Sequence, residues 1–100
     1  MAAYVIGRLQ IRDPSWLDEY MARVPGLVEK HGGRYLARGG ARGGAMEVLE
    51  STTPLPSLMF VVEFPSAEHS RAFYRDPEYP PFIKLRQAGS DLDMVVVDGV

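Results

Sequence analysis

Apolar and polar positions alternate from Tyr4 to Ile11. Val5, Gly7, Leu9 and Ile11 form a wholly apolar set, and Tyr4, Ile6, Arg8 and Gln10 form a mixed one. A period of two predicts a strand with one face buried. The period changes at Asp13-Pro14, a helix start in which Asp accepts orphan N–H bonds and Pro at the first helical position gives up none. Leu17, Tyr20, Met21, Val24, Leu27, Val28 and His31 then recur at helical spacing as one stripe. Pro25 lies inside that stripe and predicts a kink or local break, and Gly32-Gly33 ends the helix. Arg34 to Arg38 predicts a second strand, with Tyr35 and Ala37 on one side and Leu36 on the other. Residues 39–44 are rich in glycine and predict a turn or bulge, and Ala45 to Glu50 predicts a short strand able to pair back as a hairpin. Residues 51–57 read as loop. Leu58 to Phe64 predicts a strand that is apolar except for Glu63. Ser66 caps a second helix that carries Ala67, Phe73 and Tyr74 and stops at Asp76-Pro77. A short third helix runs through Phe82, Ile83 and Leu85 to Ala88-Gly89, and Leu92 to Asp98 is the closing strand.

The order of strands and helices predicts an α+β ferredoxin-like sandwich, an antiparallel sheet with helices on one face. Met59-Phe60-Val61-Val62 and Met94-Val95-Val96-Val97 do not alternate. Strands of this kind bury both faces, yet one chain has helices for only one. The expectation is therefore a homodimer through the sheet face, because an open apolar face invites aggregation.

A length of 100 residues predicts a single domain over 1–100, and 46% hydrophobic content is too apolar for disorder. A net charge of −2 excludes a generally polycationic nucleic-acid binder. The absence of Cys excludes disulfides and thiolate metal sites within the chain. No basic leader and no long apolar stretch is present, so the expectation is a cytoplasmic protein without membrane contact. Ala37-Arg-Gly-Gly-Ala-Arg-Gly-Gly44 holds two Arg-Gly-Gly triplets. Glu47 and Glu50 follow at once, however, and no nucleic-acid partner is expected. The triplets also lack the spacing of a nucleotide-binding loop, and no His–carboxylate spacing suits a metal.

The string Gly32-Gly-Arg-Tyr-Leu-Ala-Arg-Gly-Gly40, then Met46-Glu-Val-Leu-Glu50, Val61-Val-Glu-Phe-Pro-Ser66, Phe73-Tyr-Arg-Asp-Pro-Glu-Tyr79 and Leu85-Arg86 resembles a bacterial family, the domain of unknown function 1330. The resemblance covers Tyr4 to Val100. It implies the dimeric α/β-barrel fold, in which two ferredoxin-like sheets face each other. Relatives in that wider group include cofactor-free monooxygenases, haem-degrading enzymes, muconolactone isomerases and stress-response barrels. Many members carry Gly-Asp-Trp where this chain has Ser51-Thr52-Thr53, so that acid and that ring are missing here.

Glu63 interrupts an apolar strand, and a buried unpaired carboxylate costs several kcal/mol. It is either a general base with a raised pKa or a structural ion pair, with Arg8, Arg38 or Arg86 as the partner expected. Arg38, at the edge of the glycine turn, grips a carboxylate or enolate oxygen, or else pairs with Glu47 or Glu50 across the hairpin. Tyr74, Tyr79 and Arg86 either line a small pocket for an acidic ligand or serve as packing residues and a helix-end cation. His31 is a base, a haem ligand, or a packed or capping helix-end residue, and His69 is expected to be solvated. Three functions follow. One is a cofactor-free enzyme acting by proton abstraction or oxygen chemistry on a small acidic or aromatic molecule, with Glu63, Arg38 and His31 as catalytic candidates and Arg38, Tyr74, Tyr79 and Arg86 as ligand-binding ones. Another is a non-catalytic ligand-binding or stress-response dimer. A module whose only partner is itself is a third.

Overall fold

The computed structural model describes residues 1–100. Its strands are β1 (Ala3–Ile11), β2 (Arg34–Gly40), β3 (Leu58–Phe64) and β4 (Ser90–Asp98). Its helices are α1 (Leu17–Lys30), α2 (Ala67–Tyr74) and α3 (Pro80–Gly89). All neighbouring strands are antiparallel in the order β2-β3-β1-β4, the α+β arrangement expected of a ferredoxin-like chain.

The helix ends follow their capping residues. The Asp13 carboxylate accepts the Ser15 N–H at 2.9 Å and starts a 3-10 turn, Pro14–Trp16, that leads into α1. Ser66 accepts the His69 N–H and starts α2. Gly32, at φ +79°, supplies the left-handed residue that ends α1. Pro25 does not break α1, which runs as one helix from Leu17 to Lys30.

Strand register sorts the side chains. Ala3, Val5, Gly7 and Leu9 of β1 face the helices beside Leu58, Phe60, Val62 and Phe64 of β3. There they meet Val24, Leu27 and Val28 of α1, with Phe73 and Tyr79 closing the layer. Burying Phe64, only 1% exposed, contributes about 1.5–3 kcal/mol. Gly7 is required by a close approach: a Cβ there would lie 2.3 Å from the Phe60 ring.

The other face carries no helix. Its central row is Val95, Ile6, Val61 and Ala37, one residue from each strand. Val95 and Val97 are 59% and 47% exposed.

Two local expectations are corrected. Ala45 to Glu50 forms no strand. Gly40 at φ +93° and Arg42 at φ +60° fold residues 40–44 into a closed turn, in which the Gly44 N–H donates to the Arg38 carbonyl at 2.8 Å. The chain leaves that turn after a single parallel bridge, Gly39 to Gly44, so no hairpin follows. Tyr35 and Ala37 also fall on opposite faces. A bulge at Leu36 shifts the register between them, which turns Arg38 towards the helices beside Tyr35.

Candidate functional site

The bulge and α3 bring two cations to the helix side of the sheet. A cavity of about 50 Å³ lies between sheet and helices, and Arg38 and Arg86 are the only charged residues in its wall. The Arg38 guanidinium stacks over the Tyr35 ring at 4.7 Å and makes no pair with Glu47 or Glu50. Arg86 is 4% exposed, so it is not a solvated helix-end cation. Its Nη1 donates to the Tyr79 hydroxyl at 3.0 Å and the Tyr20 hydroxyl at 3.2 Å, and those hydroxyls lie 2.5 Å apart. No carboxylate pairs with Arg86. Its Nε and the nearby Trp16 Nε1 are buried donors without an acceptor.

A fully buried cation without a counter-charge is rare, because desolvation disfavours it by several kcal/mol. Arginine does not relieve that cost by losing its proton. The phenols do not supply an anion either. Burial holds Tyr79 well above the usual phenol range, the neighbouring Tyr20 adding to it, and burial pushes Tyr35 up to about 12. At neutral pH both are neutral hydrogen-bonding groups, not bases.

A wider groove of about 370 Å³ runs between α2, α3 and β4. It shares Val5, Phe73, Arg86, Leu92 and Met94 with the inner cavity, so Arg86 stands at their junction. Size separates their roles. A cavity of about 150 Å³ accepts benzene, whereas a water needs only about 10–15 Å³. The inner cavity therefore suits a small polar head or a few waters, and the groove suits a ring. Tyr79 belongs to the inner cavity. Tyr74, 45% exposed, belongs to the groove and meets Tyr79 edge-on at 5.9 Å.

Glu63 and His31 lie outside both spaces. Glu63 is on the helix-free face, where its partner is the cross-strand neighbour Arg34 at 2.9 Å, not Arg8, Arg38 or Arg86. His31 ends α1 and places Nε2 2.7 Å from the buried carboxylate of Asp76. Asp76 also accepts the Glu78 N–H at 2.8 Å and the Lys30 ammonium at 2.9 Å. The Glu78 N–H first, then His31 and Lys30, hold its pKa well below the usual carboxylate range. A depressed folded pKa adds stability that is full above the unfolded value, about 4, and is lost as pH falls through the folded one. Melting curves from pH 7 to pH 2 should thus fall more steeply at the acid end for the natural chain than for Asp76→Asn. At pH 7 the variant should melt lower.

Trp16, Tyr20 and the groove arginines Arg71 and Arg75 were not among the sequence candidates. Tyr20 did carry a signal, a hydroxyl on an otherwise apolar stripe. Trp16 carried none, because the 3-10 turn that aims it inward has no periodicity of its own.

Similar folds occur in solved structures. A protein of unknown function from Rhodopseudomonas palustris superposes with a TM-score of 0.78 at 18% identity, over 99% of this chain and 82% of that one. A dimeric ferredoxin-like protein of unknown function from a Jannaschia species gives 0.71 at 17% identity, over 99% and 100%. SnoaB, a cofactor-independent oxygenase from Streptomyces nogalater, gives 0.68 at 12% identity, over 99% and 93%. At these identities the likeness is one of fold. No curated protein matches the chain in sequence. The model of the domain of unknown function DUF1330 matches residues 2–100, and the chain belongs to that family.

Proposed function

We propose that the chain binds a small aromatic or enolisable acid as its anion, with the ring in the groove and the charged oxygen at Arg86. The single observation behind this reading is Arg86 itself, buried and without a carboxylate. An oxyanion there offers the charge and the acceptor that Arg86 Nε lacks, and the apolar walls from Phe73, Leu92 and Met94 hold the ring. Calorimetric titration with benzoate and 1-naphthoate tests it against the uncharged amides of the same acids. The acids should bind and the amides should not. Equal binding of acid and amide would remove the role of Arg86 as charge partner.

A second reading makes the site catalytic without a cofactor. Neither space has a carboxylate or imidazole in its wall, so the site would favour the anion by lowering the ligand's own pKa rather than by a base such as Glu63 or His31. A phenolate or enolate held this way is electron-rich enough to react with dioxygen. The fold shared with a cofactor-independent oxygenase favours this use. Oxygen uptake with 1-naphthol and related hydroxyarenes measures it, and binding without uptake would leave a ligand-binding protein.

We also propose that two copies pair through their helix-free sheet faces, as the apolar central row, with Val95 exposed, and the dimeric structural neighbours favour.

A further inference from the structure

We propose that the groove takes a ligand with two anionic ends, the second held at its outer rim by Arg71 and Arg75. This inference rests on the assignment of the first end to Arg86 and names the class of acid the site selects.

Arg71 and Arg75 are one helical turn apart, at the end of α2, so their side chains leave the same side. Both line the groove that reaches Arg86, and no acidic residue does. Neither is engaged by a carboxylate, although acids lie close by in sequence. Asp76 is held by His31 and Lys30, and Glu78 by Lys30. Of the aspartates of β4, Asp91 and Asp93 alternate with Leu92 and Met94 and project from the opposite face, and Asp98 shares the groove's face without lining it. Three arginines therefore line one groove in a chain whose net charge is −2. Low-dielectric walls lined by one sign of charge focus the field on an incoming counter-ion.

The groove that holds all three arginines also has apolar lining. Val5, Phe73, Leu92 and Met94 supply it, and they would hold the body of a ligand that reaches from Arg86 to the outer pair. A monoacid satisfies only one end. An elongated aromatic or enolic diacid satisfies both, and the planar forks of Arg71 and Arg75 suit its outer carboxylate.

Calorimetry at low ionic strength should compare benzoate with benzene-1,4-dicarboxylate and the longer 4-carboxycinnamate. At least one diacid should bind about tenfold more tightly than benzoate, and salt should weaken that gain. The double variant Arg71→Gln, Arg75→Gln should lose the gain, so that diacid and benzoate bind it with equal affinity. Both positions are exposed, where such changes cost little stability, and a melting curve checks that the fold is kept. Benzoate binding with no gain for either diacid would overturn the second anion site alone, as would a gain that survives in the double variant. Failure of benzoate to bind would overturn the Arg86 reading and this one together.

Discussion

Arg86→Met is expected to weaken binding of benzoate or 1-naphthoate by about a hundredfold while leaving the melting temperature level or higher. These two effects have opposite signs because one group causes both. Arg86 is 4% exposed and faces no carboxylate, so the folded chain carries the desolvation of a full charge. Methionine fills similar space with an unbranched apolar chain and removes that penalty. The hydroxyls of Tyr20 and Tyr79, 2.5 Å apart, can keep the one hydrogen bond between them after the guanidinium has gone. A purely structural arginine would behave otherwise: its removal would lower the melting temperature and leave the site's ligand binding untouched. Arg86→Lys refines the test. It keeps a charge but loses the planar fork, so it should recover part of the affinity. A variant Arg86→Met that binds benzoate as the natural chain does would end the assignment. Stability exchanged for a functional charge is a common cost of binding sites.

The outline of the fold was legible wherever a local rule had no competitor. Asp13-Pro14 and Ser66 start their helices as their chemistry dictates, and β3 spans Leu58–Phe64 as its apolar run implies. Pro25 makes no break because its cost is local, whereas Val24, Leu27 and Val28 anchor α1 to the core on both sides of it. The site was legible only in part. Arg86 and Tyr79 stand out as polar groups in a helical segment, but nothing in their spacing says that the arginine is buried. Arg38 needed the bulge at Leu36 to turn it inward, and a bulge of one residue leaves no periodic trace. Glu63 looked the most informative polar residue because it interrupts β3. Its significance depended on which face it occupies, and the pairing Arg34–Glu63 on the helix-free side accounts for it.

Val95→Lys is expected to convert a dimer of 11.1 kDa chains into a monomer and to lower its melting temperature. In a single chain Val95 is 59% exposed on an edge strand, and a lysine there would change stability by no more than about 0.5 kcal/mol. The predicted effect is therefore large only if that face is covered. Val95 lies in one row with Ile6, Val61 and Ala37 across all four strands. Two such rows packed together would bury apolar atoms from both copies, and a lysine at the β4 end of the row would place an unpaired charge in that layer. Charges flank the row, with Arg8 and Asp93 on one side and Arg34 and Glu63 on the other, a polar rim around an apolar centre. Linkage adds a second signature. If folding and pairing are coupled, the melting temperature of the natural chain rises with concentration and that of Val95→Lys does not. Sedimentation equilibrium over a hundredfold range of concentration reads the mass, and melting curves at the same concentrations read the coupling. A natural chain that stays monomeric throughout, or a lysine variant that remains dimeric at an unchanged melting temperature, would place the interface elsewhere. Because β4 supplies both Val95 to this face and Met94 to the groove, pairing should also stiffen the strand that forms the groove wall. If that stiffening favours the bound form, anion binding strengthens dimer formation, and by linkage dimer formation strengthens anion binding by the same factor.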